Sequence, residues 1–292
     1  MVACADNHHA SAAGNLDIFY PKQCRGAIYL HLILNREKAE MKNTLLVLLT
    51  VVIISGFIIH GNNDSATIIA HLAKKEKGGS GDLVYKIYFM GIIPLGEATI
   101  KKEKAETYNG RNVYHLNATA QSARYFSKIF SATAELDSYI NTQNFNPIFF
   151  KQRTVISNKA ETKKEVIYDQ ENNIMTIGST QRQIFPDTQD PLSAIYNLRR
   201  IDFGKTKEFK ISLNTNQKNY LLEGKAEAKT EKINNRIFHL ILTQAQIRRH
   251  DGNPYHKSRV SIVLLKEEGN IPILIKISAS GALINAKLIA IE

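Results

Sequence analysis

Four places in this chain bring together residue types that could do chemistry, and in each the spacing argues for something plainer. Gly204-Lys205-Thr206 is similar to the close of a phosphate-cradling loop. That motif needs a glycine five positions before Gly204, where Arg199 stands, and it must open a helix, whereas these residues lead into a strand pattern. His250-Asp251-Gly252-Asn253-Pro254-Tyr255-His256 supplies two imidazoles and a carboxylate. A metal would need all three turned to one point, but Asp-Gly and Asn-Pro are turn formers, and a polar hairpin loop is the better reading. Asp187 with Asp190, and Glu135 with Asp137, are paired carboxylates of the kind that share acid–base work when their environments differ. Asp190 is already placed as a helix cap, and Glu135 and Asp137 at two-residue spacing suit a solvated strand face. Ser193 lies in no Gly-x-Ser-x-Gly elbow. The reading assigns no catalytic residue, no metal ligand and no cofactor.

Binding is better served than catalysis. Arg199, Arg200, Lys205, Lys207 and Lys210 make the densest basic stretch after residue 81. Such a cluster suits phosphate or anionic lipid heads, or else it is a solvated face. Arg199, Arg200, Lys205 and Lys207 are the expected ligand-binding residues.

The elements that must position these residues are mostly strands. From Asp82 onward the apolar period is two. Tyr85, Ile87 and Phe89 share one strand face, and Gly91 to Gly96 turn the chain into a strand with Ala98 and Ile100 on the same side. Further strands are expected over 114–120 and near 132–141, 147–156, 163–169, 173–178, 206–214, 218–230, 235–245 and 257–266. A closing hairpin carries Ile271, Ile273, Ile275 and Ile277 against Ile284, Ala286 and Leu288. One segment breaks the alternation. Asp190 as N-cap, Pro191 at the first helical position and apolar Leu192, Ile195, Tyr196 and Leu198 predict a short helix over 191–199. The helix, Ser193 within it, is expected to plug or cap the open edge of the sheet, with those apolar residues inward and Arg199 toward a carboxylate; a lid over a ligand groove is the rival reading. The sum is about twelve antiparallel strands and one helix. The fold class is therefore mostly β: a large antiparallel curved sheet, an open barrel or a sandwich. Apolar residues on both faces of Ile237 to Leu242 call for two buried sides.

Upstream, Met41-Lys42-Asn43-Thr44 precedes an apolar run over 45–59 and then His60-Gly61. A short basic start, an apolar core and a polar exit make an export signal over 41–61, and the core is short of the roughly 20 residues of a spanning helix. Cleavage and an uncleaved membrane anchor both remain open, and membrane contact would run through 45–59 alone. Residues 1–40 are a doubtful leader, with Met41 an alternative start; 62–81 is a flexible linker and 82–292 an exported domain. The net charge is +11, and residues 1–40 contribute none of it. Cys4 and Cys24 both lie in the leader, so residues 82–292 can hold no disulfide and no thiolate chemistry.

Tyr85 to Ala98, with Gly91-Ile92-Ile93-Pro94-Leu95-Gly96 at its turn, resembles the opening of the bacterial family called domain of unknown function 3108. Gln189-Asp190-Pro191-Leu192-Ser193-Ala194-Ile195-Tyr196-Asn197-Leu198-Arg199 is similar to its most recognisable stretch. Arg259-Val260 through Ile271-Pro272-Ile273 and Gly281-Ala282-Leu283 is similar to its final hairpins. The resemblance implies an exported, mostly β protein and brings no catalytic residue, cofactor or ligand. The expected function is a non-enzymatic periplasmic binder or carrier of an amphiphile or envelope component, such as a lipid, lipopolysaccharide or glycan. The alternative is an assembly partner of another envelope protein, and a hydrolase stands third. A nucleic-acid partner is not expected of an exported protein.

Overall fold

A computed structural model describes residues 63–72, 81–101, 103–127, 131–157, 159–215, 217–250, 258–279 and 282–292. The expected signal over 41–61, the leader and both cysteines lie outside the described residues.

The alternation does what a period of two must do: it lays one apolar face along a single sheet. Fifteen described strands pair antiparallel throughout. The first half comprises β1 (Leu83–Phe89), β2 (Ile93–Ile100), β3 (Lys104–Tyr108), β4 (Arg111–Ser122), β5 (Ala132–Asn141), β6 (Pro147–Ile156), β7 (Thr162–Asp169), β8 (Ile174–Ile177) and β9 (Thr180–Gln183). The second comprises β10 (Glu208–Thr215), β11 (Lys218–Ile233), β12 (Arg236–Arg249), β13 (Ser258–Leu265), β14 (Ile271–Ala279) and β15 (Ala282–Ile291). The order runs from β10 through β15, across to β1 and β2, then β4 to β9, with β3 paired to β4. The chain's two halves therefore meet where β15 pairs with β1. One curved sheet, rather than a sandwich of two, is the architecture.

The sheet's two free edges are brought together by one residue. The Gln189 amide donates to the Ser212 carbonyl and the Asn214 amide donates to the Gln189 carbonyl, both at 2.8 Å, making a single parallel bridge to β10. The Asn219 side-chain amide adds a bond to the Gln183 carbonyl at 2.9 Å. Just past this seam the chain enters a helix, α3 (Pro191–Arg200), which contacts β4, β5 and β10. Leu192, Ala194 and Leu198 on it are buried. Leu198 packs with Phe209, Ile211, Leu222 and Ile241, and Leu192 with Leu116, Leu136 and Phe150. These sheet residues share the inner face, so the helix lies inside the curve and fills much of it.

Several expectations need correction. The expected linker over 62–81 contains a ten-residue helix, α1 (Asn63–Leu72), whose Ile68 and Ile69 are buried. Removing two such side chains from water is worth about 1.5–3 kcal/mol each, enough to hold a short helix that would be marginal alone. α1 lies on the outer face, where Asp64 reaches Lys276 and Lys287, each at 2.9 Å. It supplies the second buried side foreseen for β12: Ile241 packs inside the curve, while Leu240 joins Ile68, Ile69, Val263 and Leu274. Ile237 itself stays exposed. A one-turn helix, α2 (Arg124–Ser127), and a 3-10 turn over Lys266–Glu268 complete the helices among the described residues. The strand count rises from twelve to fifteen chiefly because the polar segments β3 and β9 join the sheet.

Candidate functional site

The site grows out of what α3 leaves uncovered. On the inner face, β14, β15, β1, β2 and β4 present Ile275, Ile277, Ile284, Ala286, Ile87, Ala98, Ile100 and Ala120 in register. Beside Pro191, Leu192 and Ile195 of α3 they line an open groove of about 170 Å³. Small residues make the room. Ala98 pairs with Ala120 and Ile100 with Ala118, so two adjacent strands carry methyl groups where larger side chains would fill the space. Gly96 has a different reason: a Cβ there would stand 2.1 Å from the Gln121 carbonyl oxygen, so glycine alone lets β2 and β4 approach this closely.

One polar group stands at the wall. Tyr85 is buried and its hydroxyl donates to the Pro272 carbonyl at 2.7 Å. Burial pushes its pKa well up, and the nearby Arg199 charge pulls part of the way back. Arg199 thus lies near the Tyr85 hydroxyl, behind the groove wall. Its carbonyl accepts from the Asn270 side-chain amide at 2.8 Å, and its Nε is buried without a hydrogen-bond partner among the described residues. Among the described residues Arg199 shows no carboxylate partner, and its charge bears on Tyr85.

None of the four expected ligand residues, Arg199 included, is among the described residues that line this groove. Arg200 is exposed, with its guanidinium carbon 3.3 Å from the centre of the Phe145 ring. Lys205 is 88 % exposed and stands 3.5 Å from Asp202. Lys207 is exposed, and its carbonyl accepts from Ala226. Arg200, Lys205 and Lys207 are exposed, while Arg199 is partly buried.

The helix motif is built as its residues predict, and it does more than cap. Asp190 is fully buried, and its Oδ1 accepts from the Leu192 and Ser193 amides at 2.8 and 3.0 Å. The Ser193 hydroxyl accepts from the Asp190 amide at 3.0 Å, completing a capping box. The other carboxylate oxygen takes the Ser138 hydroxyl of β5 at 2.6 Å. Burial raises the Asp190 pKa and these bonds hold part of the rise back. Gln189 donates to Asn146 at 2.9 Å and accepts from Asn197 at 2.8 Å. Two consecutive residues thus join β10, β5, the β5–β6 loop and α3. Tyr196 turns away from the groove, its ring 6.2 Å from those of Tyr114 and Phe145. Asp187 accepts from the Asn146 amide at 2.7 Å, so it belongs to this latch.

Two features escaped the sequence reading. Lys164 sits in β7 at an inward position, in register with buried Gln152. Burial lowers its pKa and the Asp190 charge partly restores it. A lysine in step with Val166 and Tyr168 was the available signal. On the outer face, Asp137 is not simply solvated: its Oδ1 lies 2.8 Å from His115 Nε2 and accepts from Asn117 at 2.8 Å. His115 in turn stacks on Tyr139 at 4.4 Å. The partner positions 115 and 117 alternate with Tyr114 and Leu116, which marked them as one face, but not as that of Asp137. His250, from the polar loop, stacks on Phe185 at 3.6 Å, and residues 251–257 lie outside the described residues.

The fold and groove define a class: an open, barrel-like antiparallel sheet wrapped around an inner helix, with an apolar recess beside it. The crystal structure of a β-barrel-like protein of domain of unknown function DUF1849 from Brucella abortus shares this fold, with a TM-score of 0.51 and 10 % identity over 72 % of this chain and 95 % of that one. No curated protein matches the sequence. The profile of the protein family of unknown function DUF3108 matches residues 84–286, and the chain belongs to that family.

Proposed function

We propose that this chain is an exported envelope protein that binds the apolar tail of an amphiphile in the groove beside α3. The observation that carries the reading is an open recess on the inner face whose lining is almost wholly aliphatic. Its roughly 170 Å³ is below the roughly 300–1,000 Å³ of a site that encloses a drug-sized ligand. It suits one tail, with the head outside. Arg199, near the groove wall at Tyr85, is the cation placed to favour an anionic head. Binding is favoured over catalysis because the Tyr85 hydroxyl, the one titratable group of the lining, is already committed to Pro272. Export rests on the pattern over 41–61.

The test is calorimetric titration of the full-length chain with laurate, alongside Ala98→Phe and Ala120→Phe, which fill the groove. The expected result is saturable binding that both variants weaken at least about tenfold with an unchanged melting temperature. Equal affinity in the filled variants would overturn the reading. A second reading, docking on another envelope protein, draws on the β1–β2 hairpin tip, where Ile92 is 77 % exposed. It takes precedence if native mass spectrometry of chain isolated from its envelope shows bare chain and crosslinks map to that tip.

A further inference from the structure

A larger cavity, about 1050 Å³, opens on the outer face over β10 to β14. Its lining is polar where the groove is aliphatic. At one side Lys210 and Glu223, and Lys225 and Glu208, pair with each other at 3.0 Å. The remaining cations form a stripe. Gln246 of β12 pairs with Arg259 of β13, and Ser261 of β13 pairs with Lys276 of β14. Arg248, two residues from Gln246, is therefore a diagonal neighbour of Arg259, and Arg259 of Lys276. All three share one face, at steps of about 7–8 Å. Leu274 pairs with Lys287 of β15, which continues the diagonal by one more strand.

One end of this stripe already holds a carboxylate. Asp64 of α1 bridges Lys276 and Lys287 at 2.9 Å each. At the other end the guanidiniums are uncommitted. Arg248 has only a 3.7 Å contact to Glu223, and Arg259 is exposed and makes no ion pair among the described residues.

We infer that this trough binds an acidic oligosaccharide. Its carboxylate or phosphate groups sit on Arg248 and Arg259, which offer planar, bidentate donors to such groups. Its hydroxyls meet the amides of Gln244 and Gln246 and the hydroxyls of Ser261 and Ser278, which line the same trough. The shape and chemistry set other polyanions apart. A lipid surface would find little to insert against: of the bulky apolar residues in the lining, Phe209 and Val260 belong to the inner core, which leaves Leu283. Single-stranded nucleic acid wants aromatic platforms for its bases, and Phe209 is the lone ring of the lining among the described residues. The trough lies across the sheet from the groove, so this inference does not depend on the amphiphile reading.

The test titrates the full-length chain with an oligogalacturonate hexamer, with maltohexaose as the neutral control and inorganic phosphate as the free anion. The hexamer is expected to bind with an affinity that falls as salt rises, and maltohexaose to show no binding. Arg248→Gln with Arg259→Gln weakens the hexamer at least about tenfold, while melting temperature and laurate titration are unchanged. Should the double variant fail to fold, Arg259→Gln alone carries the same expectation. Equal hexamer affinity in the variants, or equal binding of maltohexaose, overturns the site. Phosphate competing as well as the hexamer reduces it to a simple anion site, and binding confined to phosphatidylglycerol vesicles assigns the stripe to membrane; either result also overturns the inference.

Discussion

Helices α3 and α1 lie on opposite faces of the same sheet, and each has an aspartate near its start: Asp190 caps α3, and Asp64 is in the first turn of α1. Asp190 of α3 is fully buried, and burial lifts its pKa. Asp64 of α1 is partly exposed. Burial pushes it up too, but the bonds and charges of Lys276 and Lys287 outweigh that and leave it below the ordinary value. The inner helix is oriented by a polar network whose geometry admits one arrangement. The outer helix is held by two buried isoleucines and by one carboxylate shared between two lysines. Burial supplies attraction on both faces, but only the inner face adds a device that fixes position.

The comparison can be broken most forcefully at Asp190. Asp190→Ala leaves the Leu192 and Ser193 amides and the Ser138 hydroxyl without their acceptor. The expected loss is about 2–4 kcal/mol in global stability, read by urea unfolding. A loss no larger than that of a surface substitution would mean that the latch is ornamental. Next comes Ile69→Ala, which removes about 2 kcal/mol or more of packing under α1. Its signature should be local: hydrogen exchange rises over 63–72 while β1 and β5 keep their protection. Acid gives the smallest and sharpest contrast. The Asp64 contribution is present above its unfolded pKa and is lost as pH falls through the lowered folded value. The Asp190 contribution runs the other way: it is fully present below the unfolded pKa and is lost as pH rises through the raised folded value. Acidification from pH 5 to about pH 3 should therefore loosen α1 by about 1 kcal/mol or less, given its exposure, without loosening α3 through Asp190. Exchange measured across that range checks both signs at once.

Much of this was legible in the residues. β5, expected at 132–141, spans Ala132–Asn141, because its alternation is unbroken. α3 obeys its cap and its proline, and ends one residue later than expected. What escaped was decided by tertiary context. β3 reads Lys-Ala-Glu-Thr-Tyr and has no apolar face, yet Asn109-Gly110 behind it is a strong hairpin signal, with φ of 47° and 75°. α1 begins with polar residues that suit a linker equally well, and only the apolar patch on the outer face selects helix. The basic stretch spans two settings: Arg199 and Arg200 close the helix, and Lys205 and Lys207 lie in the loop after it. The outer cationic stripe was invisible because its members lie on four strands, and register alone aligns them.

The seam at Gln189 has a consequence for how this architecture varies. In a fully closed barrel, strand number, tilt and stagger are locked together, so a strand cannot be added without redrawing the whole circumference. Here closure rests on one residue's two backbone bonds, carried by a chain segment outside the ladder. Strands at the β9 end can lengthen, shorten or drop away while Gln189 keeps its grip on β10, which leaves the perimeter free to change size without altering how it is fastened.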